Sequence, residues 1–167
     1  MNLLRWCLAA LAVAGCTTTE MTGPTPTSLI TTAVVDEVID GDTIRLRIGP
    51  ITETVRLLAI DTPETKHPTK KVECFGPQAS AFLADLLASS PTVRIERDAE
   101  ARDVYGRLLL YVFLRTRHGE VFINRELVLR GFARPLNIEP NSRYRHLMVT
   151  AAFDARRHAR GLWKYCK

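Results

Sequence analysis

The sequence predicts an α+β domain that is mainly β: five strands closing a small sheet, with three α-helices packed around it. Three observations carry that expectation. Valine- and isoleucine-rich runs broken by turn residues fill residues 33–60, and two more such runs follow at 92–97 and 108–114. Apolar residues at helical spacing occupy three further stretches, one between the third and fourth strands and two after the fifth. At 167 residues with no internal repeat or long low-complexity run, the chain has room for one domain with a real core.

The first strand, residues 33–39, runs into "VIDGDTI", where Asp40 and Asp42 flank Gly41. Asp-Gly between two strand-like runs is a hairpin signal, because glycine tolerates the positive φ of tight turns. The second strand, residues 43–48, alternates Ile44, Leu46 and Ile48 against Arg45 and Arg47, and Asp42 is in phase with the apolar set. A straight strand therefore puts that carboxylate at the end of the core-facing row. The third strand, residues 52–60, carries one charge, Arg56, which needs a partner or an opening to solvent.

A helix is expected over residues 77–88, where Ala79, Phe82, Leu83, Leu86 and Leu87 form one stripe. A short helix near residues 124–130 ends at Gly131, a C′ residue by position. The last helix is expected to start at Asn141-Ser142, both good N-caps, and to reach about residue 160. Its apolar face would be Tyr144, Leu147, Met148, Ala151, Ala155 and Ala159. Five strands with a helix between the third and fourth suit a closed barrel of the OB type. A strand sandwich with helices on one side fits nearly the same pattern.

The N-terminus reads differently. "MNLLRWCLAALAVAGC" sets Arg5 before an apolar run too short to span a bilayer, then small residues up to Cys16. This is an export signal, and its ending resembles the lipobox of bacterial lipoproteins, which implies cleavage before Cys16 and acylation of that thiol. A soluble secreted protein cut nearby is the alternative. Residues 16–31, rich in Thr, Pro and Ser, read as a flexible tether. With Cys7 in the signal and Cys16 the lipid site, Cys74 and Cys166 remain as an even pair, expected to be bridged in an oxidising compartment rather than left as thiols.

The net charge of +5 is modest, but its distribution is uneven. From Asn141 onward there are seven Lys or Arg and only Asp154 to oppose them, and Lys66, His67, Lys70 and Lys71 form a second basic cluster. Solvated faces look like this, and so do surfaces that meet a polyanion such as nucleic acid.

Two further segments carry possible chemistry. The third strand leads into "DTPET", where Pro63 stiffens the corner that presents Asp61, Thr62 and Glu64. The same residues could cap a helix. Three carboxylates near strand ends with a carbonyl from a stiff turn suit a hard cation; calcium fits best, and magnesium and manganese take the same ligand types. No His or Cys has zinc spacing, and His146 and His158 read as surface residues. In "RDVYGRLLLYV", Asp103, Tyr105, Gly106 and Arg107 interrupt the approach to a strand. That is either a charged turn or the place where Arg107 joins Arg56 as a second guanidinium fork on one phosphate.

The blocks "VIDGDTI", "VRLLAIDTPET", "DVYGRLLLYVF" and "ELVLRGFAR" resemble, in order, those of the thermonuclease (staphylococcal nuclease-like) family, over residues 32–163. The resemblance implies an OB-fold barrel with three helices and a calcium-dependent phosphodiesterase acting on both DNA and RNA. It assigns Ca²⁺ to Asp42, Asp61 and the Thr62 backbone oxygen, with Asp40 supporting. Glu64 would be general base for, or positioner of, the attacking water, and Arg56 and Arg107 would hold the scissile phosphate. Tyr105, Lys70 and Lys71 would touch substrate, and P–O5′ cleavage would leave 3′-phosphate ends. The sequence departs from the family between Gly131 and Asn141, where "GFARPLNIEPN" has no tyrosine to stack on a base, and at Val104, which stands where a basic residue is common.

The resulting expectation is a signal at residues 1–15, a tether at 16–31 and a nuclease domain at 32–167. The protein would be a sugar-nonspecific endonuclease, anchored through Cys16 to a membrane on the exported face of a bacterial envelope, with nucleic acid as substrate and no obligate protein partner. A noncatalytic nucleic-acid-binding OB lipoprotein is the competing reading. A structural envelope lipoprotein explains the anchor but not the converging charges.

Overall fold

The computed structural model describes residues 31–65, 71–88 and 90–166. The expected signal, the tether up to residue 30, Cys16, Lys66, His67 and Lys70 lie outside the described residues.

Among the described residues eight strands and four helices follow in chain order: β1 (Thr31–Asp40), β2 (Thr43–Ile48), β3 (Ile51–Leu57), β4 (Ile60–Asp61), α1 (Gly76–Ala88), β5 (Thr92–Glu96), β6 (Leu108–Thr116), β7 (Gly119–Phe122), α2 (Ile123–Leu129), β8 (Arg134–Pro135), α3 (Arg145–Arg157) and α4 (Leu162–Tyr165). The strands of the main sheet lie in the order β3-β2-β1-β5-β6-β7, and β3 also pairs with β6. That last pairing is parallel, with Val55 opposite Leu108 and Arg56 opposite Leu109. It closes β1, β2, β3, β6 and β5 into a five-stranded barrel of the OB type, which decides against the open sandwich. β7 is a hairpin extension of β6, and α4 is one helical turn beyond the three expected helices.

The barrel is filled by the alternation read from the sequence. Ile44, Leu46, Val55, Leu57, Leu108, Leu110, Val112 and Leu114 are fully buried or nearly so. α1 closes one side through Ala79, Leu83 and Leu87, and α3 contributes Met148, Ala151 and Ala155. Tyr111, Phe122 and Tyr144 meet edge to face, tying the start of α3 to the β6–β7 hairpin. Cys74 and Cys166 are bridged across 92 residues of chain, a loop whose closure is worth about 4–5 kcal/mol of denatured-state entropy.

Several expectations fail for identifiable reasons. The third strand does not run to residue 60: it stops at Leu57, and Ala59 has a φ of 64°. Buried Asn124 makes that break possible by giving its amide to the Leu58 and Leu110 carbonyls while its oxygen accepts the Val112 N–H. Asn141 does not cap α3. Its side chain is fully buried, its Oδ1 accepts the Glu100 N–H at 2.8 Å, and the helix starts four residues later at Arg145 without a side-chain cap. Leu147 is 37% exposed, and Ala159 lies past the helix end with a φ of 48°, so neither joins the apolar face. Asp61 caps no helix either, because it ends β4 opposite Arg134. Gly131 is a C′ residue with a φ of 79°, as expected, and it is required twice over: a Cβ there would stand 2.3 Å from the Arg160 carbonyl oxygen.

Candidate active site

Asp40 ends β1 and Thr43 starts β2 opposite it, so Gly41 and Asp42 form the two-residue turn of a hairpin. Gly41, however, does not have a positive φ. It is glycine for space: a Cβ there would sit 2.8 Å from Thr62 Oγ1 and 3.0 Å from the Ala79 Cβ. The turn is thus pressed against the "DTPET" corner twenty residues on. Asp42 Oδ2 accepts the Thr62 N–H at 3.1 Å, and Leu57 N–H donates to the Asp42 carbonyl. Asp42 and Thr62 are both buried.

Arg56 leaves β3 into this corner and finds the partner its burial demands. Its guanidinium donates to the Leu57 and Ile60 carbonyls at 2.8 Å and lies 3.0 Å from both Asp42 Oδ2 and Asp61 Oδ1. The break after Leu57 is what turns those two carbonyls and Asp61 toward it. Although 57% of the Asp61 side chain is open to solvent, its carboxyl lies in a cleft, and desolvation there raises its pKa; Arg56 acts against this and Asp42 adds to it.

Arg107 comes from the loop that leads into the neighbouring strand of the barrel closure. Because β3 and β6 are parallel neighbours with Arg56 opposite Leu109, the residue just before β6 is delivered beside β3. Asp103 organises that loop: its Oδ1 accepts the Tyr105 and Arg107 N–H groups and its Oδ2 accepts from Arg107 Nε at 2.7 Å. The loop is a charged turn, and it brings Arg107 into the same cleft as Arg56. The result is a cleft of about 380 Å³ lined by Ile39, Asp40, Asp42, Thr43, Arg56, Asp61, Thr62, Glu64 and Arg107. Seven of these were singled out from the sequence, from three separate segments of chain.

The other sequence candidates among the described residues lie outside the cleft lining. Tyr105 is 80% exposed beside it, its ring 5.4 Å from the Arg107 guanidinium carbon; Lys71 is exposed. His146 and His158 are exposed on α3 and at its end, as expected of surface residues. Phe132, in the segment that lacks tyrosines, stacks on Phe82 and Phe75 instead of facing the cleft.

Sequence reasoning passed over two residues at this site. Asp103 stood in plain view, but its spacing to Arg107 was not used. Glu73 carried no signal at all: it brackets Glu64 with two hydrogen bonds, its carboxylate accepting the Glu64 N–H and its N–H donating to the Glu64 carbonyl. Glu73 adjoins Cys74, so the disulfide anchors this bracket.

The donor set here is all oxygen. Among the described residues no three His, Cys, Asp or Glu side chains gather closely enough to form a metal cluster by themselves. Asp40 is occupied elsewhere, its Oδ1 accepting from Thr65 Oγ1 at 2.6 Å and from Gly41 N–H at 2.8 Å. Two carboxylates, Asp42 and Asp61, converge on a single cationic nitrogen of Arg56. A position where two carboxylate oxygens already share a cation suits a hard divalent ion completed by a backbone oxygen and water.

Residues 54–165 match the family described as staphylococcal nuclease homologue, a span that runs from within β3 to the end of α4. The chain belongs to that family. The matched span holds Arg56, Asp61, Thr62, Glu64 and Arg107, while Asp40 and Asp42 precede it. Among the family's curated members, the thermonuclease of Staphylococcus intermedius is 39% identical over 131 residues, covering 78% of this chain and 75% of its own length. The thermonuclease of Staphylococcus hyicus is 35% identical over 129 residues, 77% and 73% of the two chains. Endonuclease YncB of Bacillus subtilis is 36% identical over 132 residues, 75% of this chain and 60% of that protein. The matched span thus includes the stiff corner at Asp61–Glu64 and the loop carrying Arg107.

Proposed function

We propose that this protein is a calcium-dependent endonuclease that hydrolyses phosphodiester bonds of DNA and RNA with little sugar selectivity, leaving 3′-phosphate ends. That it is a phosphodiester hydrolase follows from its family and from relatives named thermonuclease and endonuclease. The observation that carries the finer reading is the cleft itself: two arginines from the neighbouring segments of the barrel closure, two carboxylates sharing one cation position, and Glu64 in the same lining.

Asp42, Asp61 and the Thr62 backbone oxygen would hold calcium, which supplies Lewis-acid stabilisation of charge on the phosphate oxygens. Asp40 supports them by tying the hairpin turn to Thr65. Arg56 and Arg107 supply planar, bidentate donors to the phosphate, whose charge grows as phosphorus becomes pentacoordinate. Glu64 takes a proton from, or orients, the attacking water. The new bond forms between the water oxygen and phosphorus, the P–O5′ bond breaks, and the departing O5′ takes up a proton. Sugar selectivity is low in this reading because the cleft offers its donors to phosphate; the absence of tyrosine between Gly131 and Asn141 bears on nucleotide affinity and base preference.

The test is digestion of single-stranded DNA and RNA oligonucleotides by the purified protein, with Ca²⁺ and with a chelator, and end-group analysis of products. Cleavage that needs Ca²⁺ and falls at least about 100-fold in Glu64→Gln and Arg107→Gln is expected. Absence of cleavage in both conditions overturns the reading. We infer further, from the lipobox-like ending, that Cys16 anchors the protein to an envelope membrane; Cys16→Ser should move it from the membrane to the soluble fraction, and an unchanged distribution removes the anchor.

A further inference from the structure

Several arginines near the barrel surface have their guanidinium edges occupied by carboxylates. Arg94 is held by Glu96 and Glu120, Arg102 by Glu53, Arg107 by Asp103 and Arg160 by Asp154. Arg134 and Arg156 are set apart from the other arginines without such a partner by the ring they share. Neither is in an ion pair with a carboxylate among the described residues, both are exposed, and both rest on the same aromatic ring: their guanidinium carbons lie 5.5 Å and 5.7 Å from the centre of the Trp163 indole.

Their position is as informative as their company. Arg134 forms β8 directly opposite Asp61 of β4, so it stands one strand spacing from a cleft residue but outside the cleft lining. Arg156 lies in the last turn of α3, and Trp163 in α4 bridges the two. The opposing backbones of Gly131 and Gly161 hold α4 in place, the Leu162 N–H donating to the Gly131 carbonyl at 2.8 Å, as does the Cys74–Cys166 bridge one residue past its end. A guanidinium stacked by its face keeps its N–H edge free, and the stacking restrains the side chain before any ligand arrives. Two such edges carried by one ring, with Arg134 paired across β8 and β4 with a cleft residue, suit the phosphates of a strand that leaves the cleft on this side.

We propose that Arg134 and Arg156, arrayed on Trp163, form a second phosphate-binding subsite that holds a nucleic-acid strand beyond the scissile phosphate. This rests on the nuclease reading for the strand's presence in the cleft. The subsite supplies affinity outside the cleft in a chain that lacks the family's tyrosines between Gly131 and Asn141. It acts on substrates long enough to reach from Asp61 to α3 and is indifferent to base and sugar, because only phosphate is contacted.

The experiment compares the full-length protein with its Arg134→Gln/Arg156→Gln form, using a fluorescent single-stranded 12-mer DNA and a fluorescent dinucleotide, in chelator so that binding is read without cleavage. The variant is expected to bind the 12-mer about 10-fold more weakly at low salt, with the dependence of log affinity on log salt shallower by about 1.4 for two lost contacts. Dinucleotide binding and the thermal midpoint should be unchanged. With Ca²⁺, KM for the 12-mer should rise and kcat should not. Unchanged 12-mer affinity and salt dependence overturn the subsite, and so does an equal loss on the dinucleotide, which would place both arginines in the cleft's own work. A lowered thermal midpoint with unchanged binding would make the cluster a structural clamp and also overturns it. Failure of the wild-type protein to cleave the 12-mer would strike the nuclease reading while leaving the binding comparison readable.

Discussion

Replacing Arg56 by glutamine tests whether the cation position between Asp42 and Asp61 is what it is taken to be. The arginine and Asp42 side chains are 8% and 11% exposed and 3.0 Å apart. Stripping one partner from a buried ion pair costs about 3–5 kcal/mol, because the remaining charge is left without compensation. The Asp61 contact adds little, since that side chain is 57% exposed and screened. The open mouth of the cleft lowers the figure toward about 3 kcal/mol, which for a domain of this size shifts the melting midpoint by roughly 10 °C. Calcium must displace the guanidinium from those oxygens in the wild type but has no competitor in the variant. Thermal melts in chelator should therefore show Arg56→Gln well below wild type, and melts in excess Ca²⁺ should close much of the gap; 100 times Kd contributes about 2.7 kcal/mol. Nuclease activity should stay low, because the phosphate fork is gone. A variant that melts within 3 °C of wild type in chelator, or that gains less from Ca²⁺ than wild type does, refutes a shared cation position.

Gly41→Ala should cost about 1–3 kcal/mol by overpacking against Thr62 and Ala79, and by moving Asp42 relative to Thr62 it should lower kcat/KM about 10-fold in the oligonucleotide assay. Full activity would show that the turn and the corner are not coupled. Asn124→Leu leaves the Val112 N–H and Leu58 carbonyl without their buried partner, so urea unfolding should report a loss of about 2–5 kcal/mol; a change under 1 kcal/mol would mean the barrel relaxes to satisfy both. Glu73→Gln keeps the backbone hydrogen bond to Glu64 but weakens the carboxylate one, and is expected to reduce kcat severalfold with little effect on stability. Cys166→Ser should do both, lowering the melting midpoint and kcat together, whereas loss of stability alone would detach the bridge from the site.

Local periodicity was enough for most of the elements. The alternation of Ile44 and Leu46 with Arg45 and Arg47, and the stripe of Ala79, Leu83 and Leu87, specify which face is buried wherever they are read, because a strand or helix presents its residues at a set period. The misreadings occur where a side chain is taken by a distant partner. Asn141 has good capping chemistry but serves Glu100, and residues 58–60 read as strand until Asn124 draws the Leu58 carbonyl out of line. Gly41 was read for its conformational freedom, and the structure uses its lack of a side chain.

The residue types of the site were legible because they interrupt apolar runs: Asp42 in phase with a buried row, Arg56 alone in a strand, Asp61 and Glu64 about a proline. The sequence by itself thus determined the mainly-β domain, the candidate ligands and the two guanidinium forks. Only the tertiary structure decided that they share one cleft, since the parallel β3–β6 pairing that sets Arg107 beside Arg56 joins segments fifty residues apart, and no local period encodes such a pairing. The Glu73 bracket and the Arg134–Trp163–Arg156 cluster belong to the same class. Their partners meet through the closure of the barrel and the packing of the C-terminal turn, which depend on side-chain volumes and hydrogen bonds summed over the whole core.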